Sequence, residues 1–277
     1  IVQYPGASGR VSSPEAASAA MKDAGGVSVV AADLLAMTLL TPPGEMGADV
    51  VVGTTQRFGI PLGFGGPHAG YLAVRSGLER QMPGRLVGVS KDRFGNPAYR
   101  LTLQTREQHI RRDRATSNIC TAQVLLAVMA GMFAVYHGPE GLRQMAQKVA
   151  RQASGFAASA RAAGLEVMHD EFFDTVQLRV SDAAQVVAQA KEQGVLLHQV
   201  SDDVIQVSFD QVSAESTGRG ANPGPFAALA QALGLEGYRG ERADDDALPD
   251  ALRRQGPERS AGHAPALLQP AGAARPG

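Results

Sequence analysis

Five arginines lie close together at Arg100, Arg106, Arg111, Arg112 and Arg114, with His109 among them and only Glu107 and Asp113 to offset them. The ordinary explanation is a solvated charged face. The chemical one is an anion pocket, because guanidinium forks match carboxylates and phosphates two bonds at a time. The adjoining residues favour the pocket. Ala115-Thr116-Ser117-Asn118 opens a long apolar helical pattern. Hydroxyl and amide side chains there cap free N–H groups, and a helix N-terminus receives phosphate.

A second feature is Gly63-Phe64-Gly65-Gly66-Pro67-His68. It fails the dinucleotide pattern, because His68 takes the sixth position and Pro67 stands where a helix should begin. It has no Gly-Lys-Ser/Thr and so is no P-loop. Either it is a tight loop, or it lets a cofactor or a neighbouring chain come close to the backbone.

A third is an absence. The lysines are Lys22, Lys91, Lys148 and Lys191. Three sit on helical patterns among polar neighbours, and Lys91 lies beside Asp92. None reads as the desolvated amine that forms an imine. The six histidines (His68, His109, His137, His169, His198, His263) show no i, i+4 pair, so a zinc site is not indicated. No Gly-x-Ser-x-Gly elbow is present. Cys120, on the apolar helix, reads as a small buried hydrophobe, and a lone cysteine excludes an internal disulfide framework. A net charge of −1, 5% aromatics and no tryptophan argue against a nucleic-acid binder.

These residues need elements to hold them. In 277 residues, 44% hydrophobic, there is room for one large domain or two ordinary ones. Short apolar runs at Val27–Ala32, Asp49–Gly53 and Tyr71–Val74 read as buried strands, with Arg85–Ser90 and Tyr99–Leu103 as weaker candidates. Helices are expected at Pro14–Ala24, capped by Ser13, at Ser117–Tyr136 as a buried core helix, and at Glu140–Ala163. Polar Gln123, Cys120 and Thr121 argue against Ser117–Tyr136 crossing a membrane. Alternating strands and helices imply an α/β layer fold with a largely parallel sheet. After Gly164, Thr175–Val180 and Val204–Phe209 alternate as half-exposed antiparallel strands do, with helices at Ala183–Gln193 and Pro225–Leu233. The expected divisions are 1–140, a large α/β domain; 141–240, a small α+β domain; and 241–277, a mostly disordered tail with one helical turn near Leu248–Arg254. The opening, Ile1-Val2-Gln3-Tyr4-Pro5-Gly6, shows no signal peptide and reads as a strand already under way.

Several stretches resemble one family. They are Val2–Gly6, Ala31–Ala36, Leu40–Glu45, Gln56–His68, Gln104–Arg112, Ala115–Thr121 and Tyr136–Pro139. Together they resemble the N-terminal half of the P-protein of the glycine cleavage system (glycine decarboxylase, aminomethyl-transferring glycine dehydrogenase), from Ile1 to about Asp210. The resemblance implies a fold-type I pyridoxal phosphate (PLP) transferase-like large domain, truncated at its start, plus a small α+β domain. The family has two related halves, and the Schiff-base lysine belongs to the other one. Against that half, Gln56 stands where the lysine would be, and the acid that pairs with the pyridine nitrogen falls near Val30. The chain is therefore expected to complete an active site rather than contain one.

By the same resemblance, Thr116, Ser117 and Asn118 contact the PLP phosphate, and Arg106, His109, Arg111, Arg112 and His68 face substrate or a partner. The implied reaction decarboxylates glycine, with PLP as electron sink, and passes the aminomethyl group to the lipoyl arm of H-protein. Implied partners are the lysine-bearing half, lipoylated H-protein and glycine, in an oligomer without nucleic acid or membrane, in a bacterial cytoplasm. A rival reading is a silent scaffold subunit paired with a separate lysine-bearing one, which would begin with Met and its own N-terminal arm. A third is an anion- or nucleic-acid-binding module using the arginines. Ala247–Arg254 resembles the family's inter-half linker; beyond Gln255 the Ala/Gly/Pro/Arg bias suggests a reading-frame change.

Overall fold

The computed structural model describes residues 1–84, 86–103, 108–115, 122–215, 224–235, 238, 240 and 242–254. The first apolar runs become short strands: β1 (Val2–Tyr4), β2 (Val29–Ala32), β3 (Val50–Thr54) and β4 (Gly70–Val74). They form one sheet in the order β1-β2-β3-β4, with β1, β2 and β3 parallel. The run at β2 and β3 is Val- and Ala-rich, as the strands of a sheet covered on both faces are. Between β1 and β2 lies α1 (Glu15–Asp23). Ser13 does serve its start, accepting the Glu15 N–H at 3.2 Å, although the residue flanking the helix is Pro14.

The two weaker strand candidates, β5 (Leu86–Lys91) and β6 (Pro97–Leu103), do not extend the parallel sheet. They pair with each other as an antiparallel hairpin. Its turn explains why: Asp92 accepts the N–H groups of Phe94 at 2.8 Å and Asn96 at 2.9 Å, and Gly95 takes φ 87°. A short helix, α2 (Gln108–Arg111), comes next.

The two expected long helices meet head to tail as α3 (Ala122–Ala162). Gly138, at φ 65° and ψ 177°, is not helical and Pro139 is next in the chain, so the break expected at His137-Gly138-Pro139 is real. The first part is not the fully buried helix expected. Ala130 is buried, whereas Val128, Met129, Met132, Val135 and Tyr136 are 39% to 85% exposed.

A second sheet is built from β7 (Glu166–Val167), β8 (Thr175–Arg179), β9 (His198–Gln199) and β10 (Val204–Ser208). Its order is β7-β8-β10-β9 and every pairing is antiparallel. Helix α4 (Ala183–Glu192) joins β8 to β9, with Asp182 capping its Gln185 N–H at 2.9 Å; α5 (Gln211–Glu215) and α6 (Gly224–Leu233) come after β10. The alternation read from the sequence is visible as burial: Val176, Leu178, Ile205 and Val207 face a core with Phe156, Ala157 and Ala160 of α3. Another core gathers Tyr4, Val30, Leu40, Phe58, Ile60 and Phe173.

Segment 242–254 carries a short 3-10 turn at Asp250–Leu252, within the stretch where one helical turn is expected. Leu248 is buried in the core around Tyr4 and Leu40, Thr41 N–H donates to the Leu252 carbonyl at 2.8 Å, and Arg254 N–H to the Leu39 carbonyl at 2.7 Å. Two apolar anchors and an edge to bond suffice there. Residues 255–277 lie outside the described residues. Ile1–Ala73 with Leu126–Arg254 make one compact unit; the described part of a second lies within Val74–Leu125. Among the described residues no helix is long and apolar enough to cross a membrane, and no group of acidic, His or Cys side chains could hold a metal.

Candidate functional site

In a parallel sheet ligand sites gather at the C-terminal ends of strands. The chain leaving β3 is pinned there. Thr55 donates to the Ala69 carbonyl through both its N–H (2.8 Å) and its hydroxyl (2.9 Å), and Gln56 N–H donates to Thr54 Oγ1 at 3.2 Å. Phe58 and Ile60 then bury their side chains in the core. Gln56, half-buried, therefore sits in a rigid turn. Val30 lies fully buried mid-strand, between Val2 and Val51.

Beside Gln56 stands a half-buried ion cluster. Arg57 Nη1 donates to Asp33 at 2.8 Å and pairs with Asp174 at 2.6 Å, while Nη2 donates to the Phe209 carbonyl at 3.2 Å. Its guanidinium also lies 5.6 Å from the Phe173 ring centre. Asp33 is held in turn by the Ala36 N–H at 2.8 Å. Burial opposes the Arg57 charge, but Asp174 and Asp33 outweigh it and hold the guanidinium above its ordinary range. Burial raises the Asp174 carboxyl despite Arg57, and the like charge of Asp33 adds to that. Tyr71 donates to the Ala32 carbonyl at 2.7 Å; burial first, then Asp33, pushes its hydroxyl up to about 12.

Beyond Ile60 the glycine segment is a turn at the surface. Gly65 and Gly66 N–H groups donate to Leu62 at 2.9 and 3.0 Å, and Gly63, Gly65 and Gly66 all take positive φ. Phe64 does too, at φ 60°, with its ring fully exposed. A bulky residue in that conformation is unusual. His68, half-buried, has a shielded Nδ1 without a hydrogen-bond partner among the described residues.

Of the other expected site residues, Arg111 and Arg112 are exposed in the second unit. Arg106, Thr116, Ser117 and Asn118, and the side chain of His109, lie outside the described residues. Lys22, Lys91, Lys148 and Lys191 are all exposed. The residues present thus do not fit covalent attachment of PLP, which needs a desolvated amine. An amide at Gln56 can donate and accept hydrogen bonds but cannot form an imine.

The sequence reading missed the Arg57 cluster. Arg57 and Asp33 lie in stretches that carry the family resemblance, but nothing local marks Asp174, far along the chain, as their partner.

Residues 1–217 match the family described as Glycine cleavage system P-protein. The chain is 50% identical over 255 residues to a glycine dehydrogenase (decarboxylating) of Cutibacterium acnes (strain DSM 16379 / KPA171202), covering 92% of this chain and 25% of the relative. It therefore spans about a quarter of the length of the curated relatives it matches. Among solved structures it is similar to a glycine decarboxylase (P-protein) of the glycine cleavage system in inhibitor-bound form. That match has TM-score 0.73 and 33% identity, and covers 85% of this chain and 54% of the other. It is also similar in fold to pyridoxamine-pyruvate aminotransferase from Mesorhizobium loti, with TM-score 0.55, 16% identity, and 87% and 60% covered. The fold is the α/β fold of the fold-type I PLP enzymes.

Proposed function

Because the chain belongs to the glycine cleavage system P-protein family, we propose that it supplies the non-reacting wall of a PLP pocket in a glycine decarboxylase. The reactive lysine is contributed by another part or subunit of the enzyme. The observation that carries this reading is the pairing of Gln56, an amide in a rigid turn at the end of β3, with four exposed lysines.

PLP, when bound, supplies the electron sink that lets glycine lose carbon dioxide. Everything this chain contributes is positioning. Thr116, Ser117 and Asn118, ahead of α3, are the groups proposed to hold the phosphate through hydroxyl, amide and helix N–H donors. Arg106, His109, Arg111 and Arg112 form the cationic side that attracts glycine's carboxylate or the acidic face of a lipoyl carrier. Arg57 fixes the turn bearing Gln56, and the tip around Phe64, with His68, faces a partner.

The lysine-bearing partner needs a surface. The exposed stripe Val128, Met129, Met132, Val135 and Tyr136 on α3 offers one. A helix apolar on all sides belongs in an interior, and an apolar stripe of this kind marks an interface.

The test is borohydride reduction of the assembled enzyme with PLP and then peptide mass spectrometry, alongside a PLP titration of Thr116→Val. The expected result is no pyridoxyl adduct on Lys22, Lys91, Lys148 or Lys191, and a Kd for PLP raised about tenfold in the variant, the worth of one hydrogen bond to a charged group. An adduct on this chain would overturn the wall reading; an unchanged Kd would remove Thr116 from the phosphate site.

A further inference from the structure

A cleft of about 440 Å³ opens between the second part of α3 and segment 242–244. That size falls in the usual range for small-molecule sites, roughly 300–1,000 Å³. Gln144, Gln147, Lys148 and Arg151 line one wall, spaced to share a helix face; Arg242, Ala243 and Asp244 line the other. The second wall is fixed. Gln152, fully buried, donates to the Tyr238 hydroxyl at 3.1 Å and to the Gly240 carbonyl at 3.0 Å, and Ala243 N–H donates to the Arg151 carbonyl at 3.1 Å.

Among the described residues, Lys148 and Arg151 thus bring two cations to one wall, and Asp244 brings a carboxylate to the other. Among the described residues neither the Lys148 ammonium nor the Arg151 guanidinium has a hydrogen bond or ion pair. Arg151 Nε is moreover shielded from solvent with no partner among them. A shielded guanidinium donor without an acceptor is costly and calls for a bound group. An oxyanion is the group that fits, since a guanidinium fork takes phosphate or carboxylate in plane and an ammonium adds a point charge.

We propose that this cleft binds a small organic oxyanion, phosphate- or carboxylate-bearing, held by Arg151 and Lys148. The site uses none of the residues assigned to the PLP pocket, so its fate does not depend on that reading.

The test is calorimetric titration of the full chain with inorganic phosphate and, separately, with succinate, against sodium chloride at matched ionic strength. Arg151→Gln, Lys148→Gln and Thr116→Val are titrated in parallel. The expected result is saturable one-to-one binding of one anion, weakened about tenfold or more by Arg151→Gln and by Lys148→Gln and untouched by Thr116→Val. Saturation by phosphate names a phosphate-bearing ligand; saturation by succinate names a carboxylate. Lys148 is exposed, so its variant keeps the fold whatever Arg151→Gln does. Binding no better than chloride, or full affinity in the Lys148→Gln chain, would overturn the proposal. So would binding lost only in Thr116→Val, which would move the anion to the PLP phosphate site.

Discussion

Arg57 has two carboxylates, a carbonyl and an aromatic face around one guanidinium. Removing it would leave Asp33 and Asp174 facing each other without a counter-charge. Arg57→Met is expected to cost about 2–4 kcal/mol, below the full range for a wholly buried pair because each side chain keeps some water contact. The urea midpoint of the variant measures it, and an unchanged midpoint would show the cluster to be ornamental. Tyr71 gives a second prediction. Its hydroxyl is raised from 10.0 to about 12, so the unfolded chain sheds this proton first. Between those values the unfolded state binds fewer protons than the native one, and stability falls as pH rises. Phenolate absorbance should show one ionisation near pH 12 that Tyr71→Phe lacks, with a shallower loss of alkaline stability.

The elements meet at places where only hydrogen fits. Gly9, between β1 and α1, takes φ 85°, and a Cβ there would overlap the Thr175 carbonyl at the start of β8. Nearby, Arg10 bridges Phe172 and Val11 N–H donates to Glu171 at 3.1 Å. The β1–α1 loop is therefore clamped to the second sheet. Gly9→Ala combines backbone strain with overpacking and should cost about 2–4 kcal/mol, read as a lowered urea midpoint. The same substitution at Gly25, where nothing lies within 4 Å, meets only the strain of φ 70° and should cost less. Helix α3 shows how far pattern goes. Its break at Gly138-Pro139 was legible, because glycine and proline act locally. Its exposed side was not, because apolar periodicity shows that a helix needs covering without saying what covers it.

At the scale of the whole molecule the exposed α3 stripe is the feature that asks for company. Met132→Lys places a charge in its middle. Exposed substitutions change stability by about 0.5 kcal/mol or less, so the chain's own melting temperature should hold. Light scattering of the variant mixed with the proposed lysine-bearing partner should lose the complex peak. If the complex persists, the partner docks elsewhere.

Residue types and their spacing were enough for the family, for the longer strands and helices, and for the exposed, polar setting of the lysines. Those rest on local rules: which groups can form an imine, which backbones tolerate proline, which periodicities bury a face. Tertiary structure alone decided the rest. It closed β5 and β6 on themselves, drew segment 242–254 back onto the core, and brought Asp174 to Arg57 and Arg242 to Arg151. Pairings of that kind depend on where distant segments meet, and desolvation, which gives a buried charge its importance, exists only after they have met.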